Sequence, residues 1–387
     1  MQFSPSQIFG FINSLYGAHA PEFLACDWDP YSDTLATKIM NLTIRCRNTI
    51  LGLATAAVSL GGATPVFAQQ ASFSDVPTDH PVFEAVEYLK QQGYISGYAD
   101  GTYKPNNKVN RAETLKILLG PVINQQQLMQ FDTTVYQDIK PDAWFLPYVE
   151  AARQAFGIID GPPKKTMFYG ERNVQKAEFF KMLLLANKVD PAAFSEIKLP
   201  LSSDVSNSEE WYYPYMRYAI TSSVTMISSE GLLSPARELT RGDVALFMHR
   251  YLMYKDGRRT QALLTEAETE IQNILQSLDK NDVVQAEFAS ARALLAARGA
   301  HASRPDESIV KAAVKTTESF RALVRAYQAG VNGDFDAVIR LSGDAWNLAD
   351  QARNLDMSLA GLADQVQKTA KSMADSARAL KAGTPAP

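Results

Sequence analysis

Three short stretches set a basic residue between a helix-capping residue and an acid: NRAE at 110–113, QKAE at 175–178 and TRGD at 240–243, evenly spaced along the chain. Asn110 with Glu113, and Thr240 with Asp243, have the types and spacing of a capping box. In that arrangement the cap side chain accepts from the third helical amide and the acid reaches back to the cap amide. The spacing predicts helices that begin at Arg111, Lys176 and Arg241. A cation there faces the positive end of the helix macrodipole, a penalty of about 0.3–1 kcal/mol when exposed, and helix formation alone would not select it three times. Amide donors at a helix start plus a guanidinium suit a carboxylate or phosphate, so Arg111, Lys176 and Arg241 are the candidate anion-binding residues. Pairing with an Asp of the same or a neighbouring repeat is the competing reading. Lysine is a point charge without the planar fork, which predicts the weakest binding at Lys176.

Other residues recur with these. Asp75, Asp138 and Asp204, in FSDV, YQDI and SSDV, precede the basic residue at a near-constant distance. Trp144 and Trp211 follow the second and third of these motifs, where the first unit has His80 and Phe83. Aromatics so placed more often fill a core, and the alternative is an apolar face for a sugar ring beside a charged anchor. Gly101 and Gly231 stand at the same distance before the cap, and the middle unit has Thr166 in the matching loop. Glycine there suits a turn, and its missing side chain would also open a groove. His80, His249 and His301 are isolated from cysteine and from one another, so neither a metal nor another cofactor is expected. The chain contains no G-x-S-x-G, H-E-x-x-H or phosphate-loop pattern, which argues against an enzyme. With 38 Lys+Arg against 42 Asp+Glu, net −4, it lacks the basic surplus that nucleic-acid binding requires.

These residues sit in a periodic frame. PVFEAVEYLKQQG and WFLPYVEAARQAFG carry apolar residues at three and four spacing and end at Gly93 and Gly157, the pattern of amphipathic helices. Gly101, Tyr103, Pro105 and Val109 of the first unit match Gly231, Leu233, Pro235 and Leu239 of the third. The run FSDVPTDHPVF … GYISGYADGTYKPNNKVNRAE closely resembles the S-layer homology domain, whose pattern joins F-x-D-V to a helix, a G-Y-x-D-G-T-F-x-P loop and V-T-R-A-E. The resemblance implies three helical units about a pseudo-threefold axis that bind cell-wall polysaccharide, often pyruvylated, in grooves between repeats. It also implies that the matching Arg meets the ketal carboxylate of the sugar.

The repeats are read as 72–120, 135–188 and 202–255. Ahead of them, residues 40–68 have the form of a signal peptide: Arg45 and Arg47, an apolar core from Ile50 to Val66, and Val66-Phe67-Ala68 before Gln69. A signal sequence acts at an N-terminus, so residues 1–39 are read as an upstream annotation extension. Cys26 and Cys46 then both lie in removed sequence, and no disulfide or Cys-bound metal is expected. Residues 260–381 are rich in Ala, Leu, Glu and Gln. They carry heptad-like runs broken at 278–282, 298–308 and 330–334, which predicts four or five helices, antiparallel where breaks are short. One run, from Leu355 to Leu380, is long enough for a coiled-coil seam.

The expected fold is mainly α: a pseudo-threefold triple-repeat module followed by an α-helical bundle or helical hairpin array. The expected function is that of a secreted cell-envelope protein, anchored noncovalently to secondary cell-wall polysaccharide or a peptidoglycan-linked glycan and presenting a helical interaction module. The candidate polysaccharide-binding residues are Arg111, Lys176, Arg241, Trp144, Trp211, Gly101, Asp75, Asp138 and Asp204. The alternatives are a lattice subunit that self-associates through its C-terminal helices, and a wall-bound hydrolase.

Overall fold

The predicted helix starts are where the chain places them. The computed structural model describes residues 71–383 apart from Pro162 and Pro191, and the readings of residues 1–39 and 40–68 lie outside that range. Residues 71–259 and 260–383 belong to two compact units.

In the first unit each repeat supplies two principal helices: α1 (Phe83–Gln91) and α2 (Arg111–Leu119), then, after the short α3 (Gln125–Leu128), α4 (Leu146–Gln154) and α5 (Lys176–Ala186), and finally α6 (Tyr213–Thr221) and α7 (Arg241–Lys255). The capping boxes form as expected. Asn110 Oδ1 accepts from the Glu113 amide at 2.9 Å and Glu113 returns to the Asn110 amide at 2.9 Å. Thr240 and Asp243 do the same at 3.1 and 2.9 Å.

The repeats interlock in a cycle. The second helix of each packs on the first helix of the next: α2 on α4, α5 on α6, α7 on α1. At the centre, Val109, Val174 and Leu239, fully buried and each just before a helix cap, close a ring of backbone hydrogen bonds. The Val109 amide donates to Leu239, Leu239 to Val174 and Val174 to Val109, at 3.1, 3.0 and 3.0 Å. This is the pseudo-threefold axis. Leu115, Leu118, Phe179, Phe180, Val244 and Met248 on the second helices complete the core.

In the second unit, α8 (Thr260–Asp279), α9 (Val283–Ser303), α10 (Ser308–Val331), α11 (Phe335–Leu355) and α12 (Ala360–Lys381) form a helical hairpin array. Each packs on its successor, and α10 also touches α8 and α12. Asp282 and Asp334 cap α9 and α11 by accepting from the Gln285 and Ala337 amides, each at 3.0 Å. The Leu355–Leu380 run is interrupted: α11 ends at Leu355, a 3-10 turn spans Met357–Leu359, and Asp356 accepts from the Ser358 amide. The apolar seam beyond it, Ala363, Val366, Ala370, Met373 and Ala377, is buried in the chain's own core rather than left for a second copy.

Candidate functional site

The loop preceding each second helix is fixed by the recurring aspartate. Asp75 accepts from the Tyr103 and Lys104 amides, both at 2.7 Å. Asp138 accepts from Phe168 and Tyr169 at 2.8 and 2.6 Å, and Asp204 from Leu233 and Ser234 at 3.0 and 2.6 Å. In each pair the second amide belongs to a residue of positive φ: Lys104, Tyr169 and Ser234, at 57, 58 and 50°. A non-glycine residue held there is strained unless surrounding contacts fix it, and a carboxylate with both oxygens on backbone amides supplies that contact. Asp75, Asp138 and Asp204 thus position the loop. Gly101 also serves the turn: its φ is 78°, and the space a Cβ would enter is open.

The helix-start amides have a different use from the one the sequence suggests. Arg111 and Ala112 donate theirs to the Arg172 and Gly170 carbonyls of the next repeat, at 3.0 and 3.1 Å. Lys176 and Ala177 donate to Arg237 and Pro235, both at 2.9 Å, and Arg241 and Gly242 to Asn107 and Pro105, both at 2.8 Å. The third amide is taken by the cap. These three helix starts leave no amide cradle for an anion.

The basic side chains follow the same cyclic rule. Arg111 Nε donates to the Phe168 carbonyl at 3.3 Å, Lys176 Nζ to Leu233 at 2.7 Å and Arg241 Nε to Tyr103 at 2.9 Å. Each is the carbonyl of the residue whose amide the aspartate holds. The cation at the helix start therefore locks one repeat onto the loop of the next. Arg241 is 9 % exposed; it also donates to the Ser96 carbonyl at 3.2 Å and lies 5.0 and 4.7 Å from the Tyr98 and Tyr103 ring centres. Lys176 is 5 % exposed, and burial lowers its pKa to about 8. Only Arg111 of the three is within 4.0 Å of an acid among the described residues, with Nη1 at 3.5 Å from Glu178.

Glu178 receives more than Arg111. Arg172 Nη2 bonds to it directly, and the Gln175 amide donates to it at 3.1 Å. Burial raises the Glu178 pKa, but the Arg172 hydrogen bond, the Gln175 amide and the two guanidinium charges together bring it below its ordinary value. Arg237 holds Asp243 with two bonds, at 2.9 and 3.1 Å, in the third repeat. Arg172 and Arg237 did not emerge from the sequence, although they occupy the same place in their repeats, with Asn107 as the counterpart in the first unit.

The tryptophans are not core residues. Trp144 is 53 % and Trp211 51 % exposed. Each lies under a lysine from the second helix of the preceding repeat: Lys116 Nζ is 5.5 Å from the Trp144 ring centre, and Lys181 Nζ 5.9 Å from that of Trp211. Lys116 and Lys181 hold the same position on their helices. Their counterpart in the third repeat is Leu246, and Pro81 stands where the tryptophan would be. The three inter-repeat grooves are therefore unequal.

One groove forms a cleft of about 350 Å³ between the second and third repeats, reached also by Arg111 of the first. Arg111, Lys165, Arg172 and Lys181 line it against Asp160 and Glu178, a surplus of two positive charges, with Tyr169 and Trp211 as aromatic walls. The combination presents a flat apolar surface next to cations, which suits an acidic carbohydrate. Among the described residues no cluster of His, Cys, Asp or Glu could hold a metal ion, and no helix is long and apolar enough to cross a membrane.

Comparison with known proteins identifies the repeats. Residues 72–115, 135–180 and 203–245 each match the S-layer homology domain. The chain is similar to the S-layer protein EA1 of Bacillus anthracis, 28% identical over 206 residues, 52% of this chain and 22% of that one. It is 35% identical to an S-layer protein of Bacillus licheniformis over 152 residues, 37% of this chain and 16% of that one. An uncharacterized cell wall amidase of Bacillus anthracis is 28% identical over 151 residues, 36% of this chain and 26% of that protein. The chain thus spans about a fifth of the first two relatives' length.

Proposed function

We propose that this is a cell-wall-anchored surface protein whose repeat unit, residues 71–259, binds an acidic wall polysaccharide. The cleft of Arg111, Arg172, Lys181 and Trp211 is its principal site, and the helical array of residues 260–381 is the part displayed. The three S-layer homology domains and the S-layer relatives support the anchoring role. The observation that carries the site is the surplus positive charge beside a half-exposed tryptophan ring. A sugar bearing a ketal pyruvate would lay its apolar face on Trp211 and direct its carboxylate to the guanidinium and ammonium groups.

Within this reading Arg111 both locks the repeats and lends charge to the cleft, whereas the more deeply buried Arg241 and Lys176 act mainly on the fold. The groove between the third and first repeats is the weakest, because Leu246 and Pro81 replace the Lys–Trp pair there, and in the groove between the second and third repeats the ammonium of Lys176 is buried on the Leu233 carbonyl and adds little to the cleft. Asp75, Asp138, Asp204 and Gly101 shape the loops that carry the site.

Since Arg111 and Arg241 hold the repeats together, their removal would confuse folding with binding. Trp211→Ala with Lys181→Gln avoids that. In sedimentation with purified cell walls the double variant should bind about tenfold more weakly, or about 1.4 kcal/mol, with unchanged circular dichroism. Walls treated to remove pyruvate should lose the same increment with the unaltered protein. Undiminished sedimentation of the variant would reject the cleft. Undiminished binding to treated walls would reject the pyruvyl carboxylate alone.

A further inference from the structure

One junction of the ring carries a titratable group where the other two carry leucine. The ninth residue of the second helix is Leu119 in α2, Leu184 in α5 and His249 in α7. All three are buried. His249 lies on the helix that packs on α1 and so joins the third repeat back to the first. Its ring meets that of Tyr88 on α1, with centres 5.0 Å apart and planes at 53°. It has no hydrogen-bond or ion-pair partner among the described residues. The other ties of this junction, from Arg241 and Gly242 to Asn107, Pro105 and Tyr103, lie at the start of α7, about two helical turns away.

A neutral imidazole suits such a place and an imidazolium does not, because burying an unpaired charge costs far more than burying a polar ring. From α1 the histidine faces Glu84, exposed one turn before Tyr88. From α7 it faces Arg250, and from the segment after α7, Arg258 and Arg259. Arg250 donates to the Val224 carbonyl at 3.4 Å and Arg259 to the Ser223 carbonyl at 3.0 Å, which ties both guanidinium groups to the third repeat. Burial lowers the His249 pKa; Glu84 opposes this and the three arginines reinforce it. An opened junction, where the side chain regains its ordinary value of 6.5, therefore takes up the proton first. The stability that neutral His249 lends the closed junction is complete above about pH 6.5 and is lost as pH falls through the folded value.

We propose that His249 is an acid-sensitive latch on the ring: its protonation loosens α7 from α1 and opens the junction between the third and first repeats, while the two leucine junctions stay closed. The latch acts on closure of the ring and does not depend on what the repeats bind.

Hydrogen exchange of the full chain tests this, read as protection factors corrected for the pH dependence of intrinsic exchange. From about pH 7.5 to about pH 5, protection in α1 and the second half of α7 should fall severalfold more than in α2 with α4 or in α5 with α6. In His249→Leu, which installs the residue of the equivalent positions, that excess should vanish. The imidazole resonance missing from the variant identifies His249 in an NMR titration of the parent, and it should titrate below 6.5. The comparison of the three junctions within the parent needs no variant. An equal loss of protection at all three, the same excess in His249→Leu, or a His249 resonance titrating at or above 6.5 would each overturn the proposal.

Discussion

The two units solve the same problem of burying helix faces in opposite ways. In the repeat unit the defining contacts join residues far apart in sequence: Val109 to Leu239, Arg241 to Tyr103, Gly242 to Pro105. They close a ring, so no repeat completes its own site or its own core. In the array each helix packs on its successor across a short break, and damage to one hairpin need not reach the others. Closure also changes what an odd residue means. Three cations at helix starts look like ligand sites in a linear reading, yet the ring supplies each with a carbonyl from the next repeat. Awkward charge argues for a ligand only after the fold's own acceptors have been counted.

The largest expected effect tests closure. Val174→Asp puts an unpaired charge on the axis, where all three central residues are fully buried, and should destabilise the repeat unit by more than about 4 kcal/mol. Hydrogen exchange should then show protection lost together in α2, α5 and α7, with α10 to α12 unaffected. Loss confined to the middle repeat would break the contrast drawn above.

A somewhat smaller effect tests the array. Glu270 of α8 and Arg292 of α9 form a buried two-bond ion pair, at 2.6 and 2.8 Å. Arg292→Met alone should cost about 3–4 kcal/mol by stranding a buried carboxylate, whereas Glu270→Leu with Arg292→Met should be close to neutral. Urea unfolding of both variants checks this, and equal losses would mean that the pair itself, not the stranded charge, sets the stability.

The smallest effect concerns pH. Lys176 titrates near 8 in the folded chain and near its ordinary value of 10.5 when unfolded, so between those values the unfolded state binds more protons. Its burial penalty is complete below about pH 8 and is relieved as pH rises, which adds about 1.5 kcal/mol between about pH 8 and about pH 9.5. The buried tyrosines, among them Tyr103 with its pKa raised to about 12 by burial, act in the opposite sense above about pH 10. Lys176→Met retains those tyrosines, so the difference between the two melting-temperature profiles isolates the lysine. Parallel profiles would show that Lys176 is not buried as charged ammonium.

Much of this fold is written locally. The capping boxes at Asn110 and Thr240, the glycine turns and the even recurrence of the motifs specify short-range geometry, and short-range geometry follows from residue type and spacing. The heptad-like runs of 260–381 indicate helices for the same reason, although the break at Asp356 passed unseen because the apolar spacing continues across it. What the aspartates, the helix-start cations and the tryptophans do was decided by the closed ring. Whether a carboxylate meets amides or a sugar, whether a guanidinium meets a carbonyl or an anion, and whether an indole is buried or half open depends on a neighbour far along the chain. A linear pattern fixes what a residue can bond to; only the tertiary arrangement fixes what is within reach.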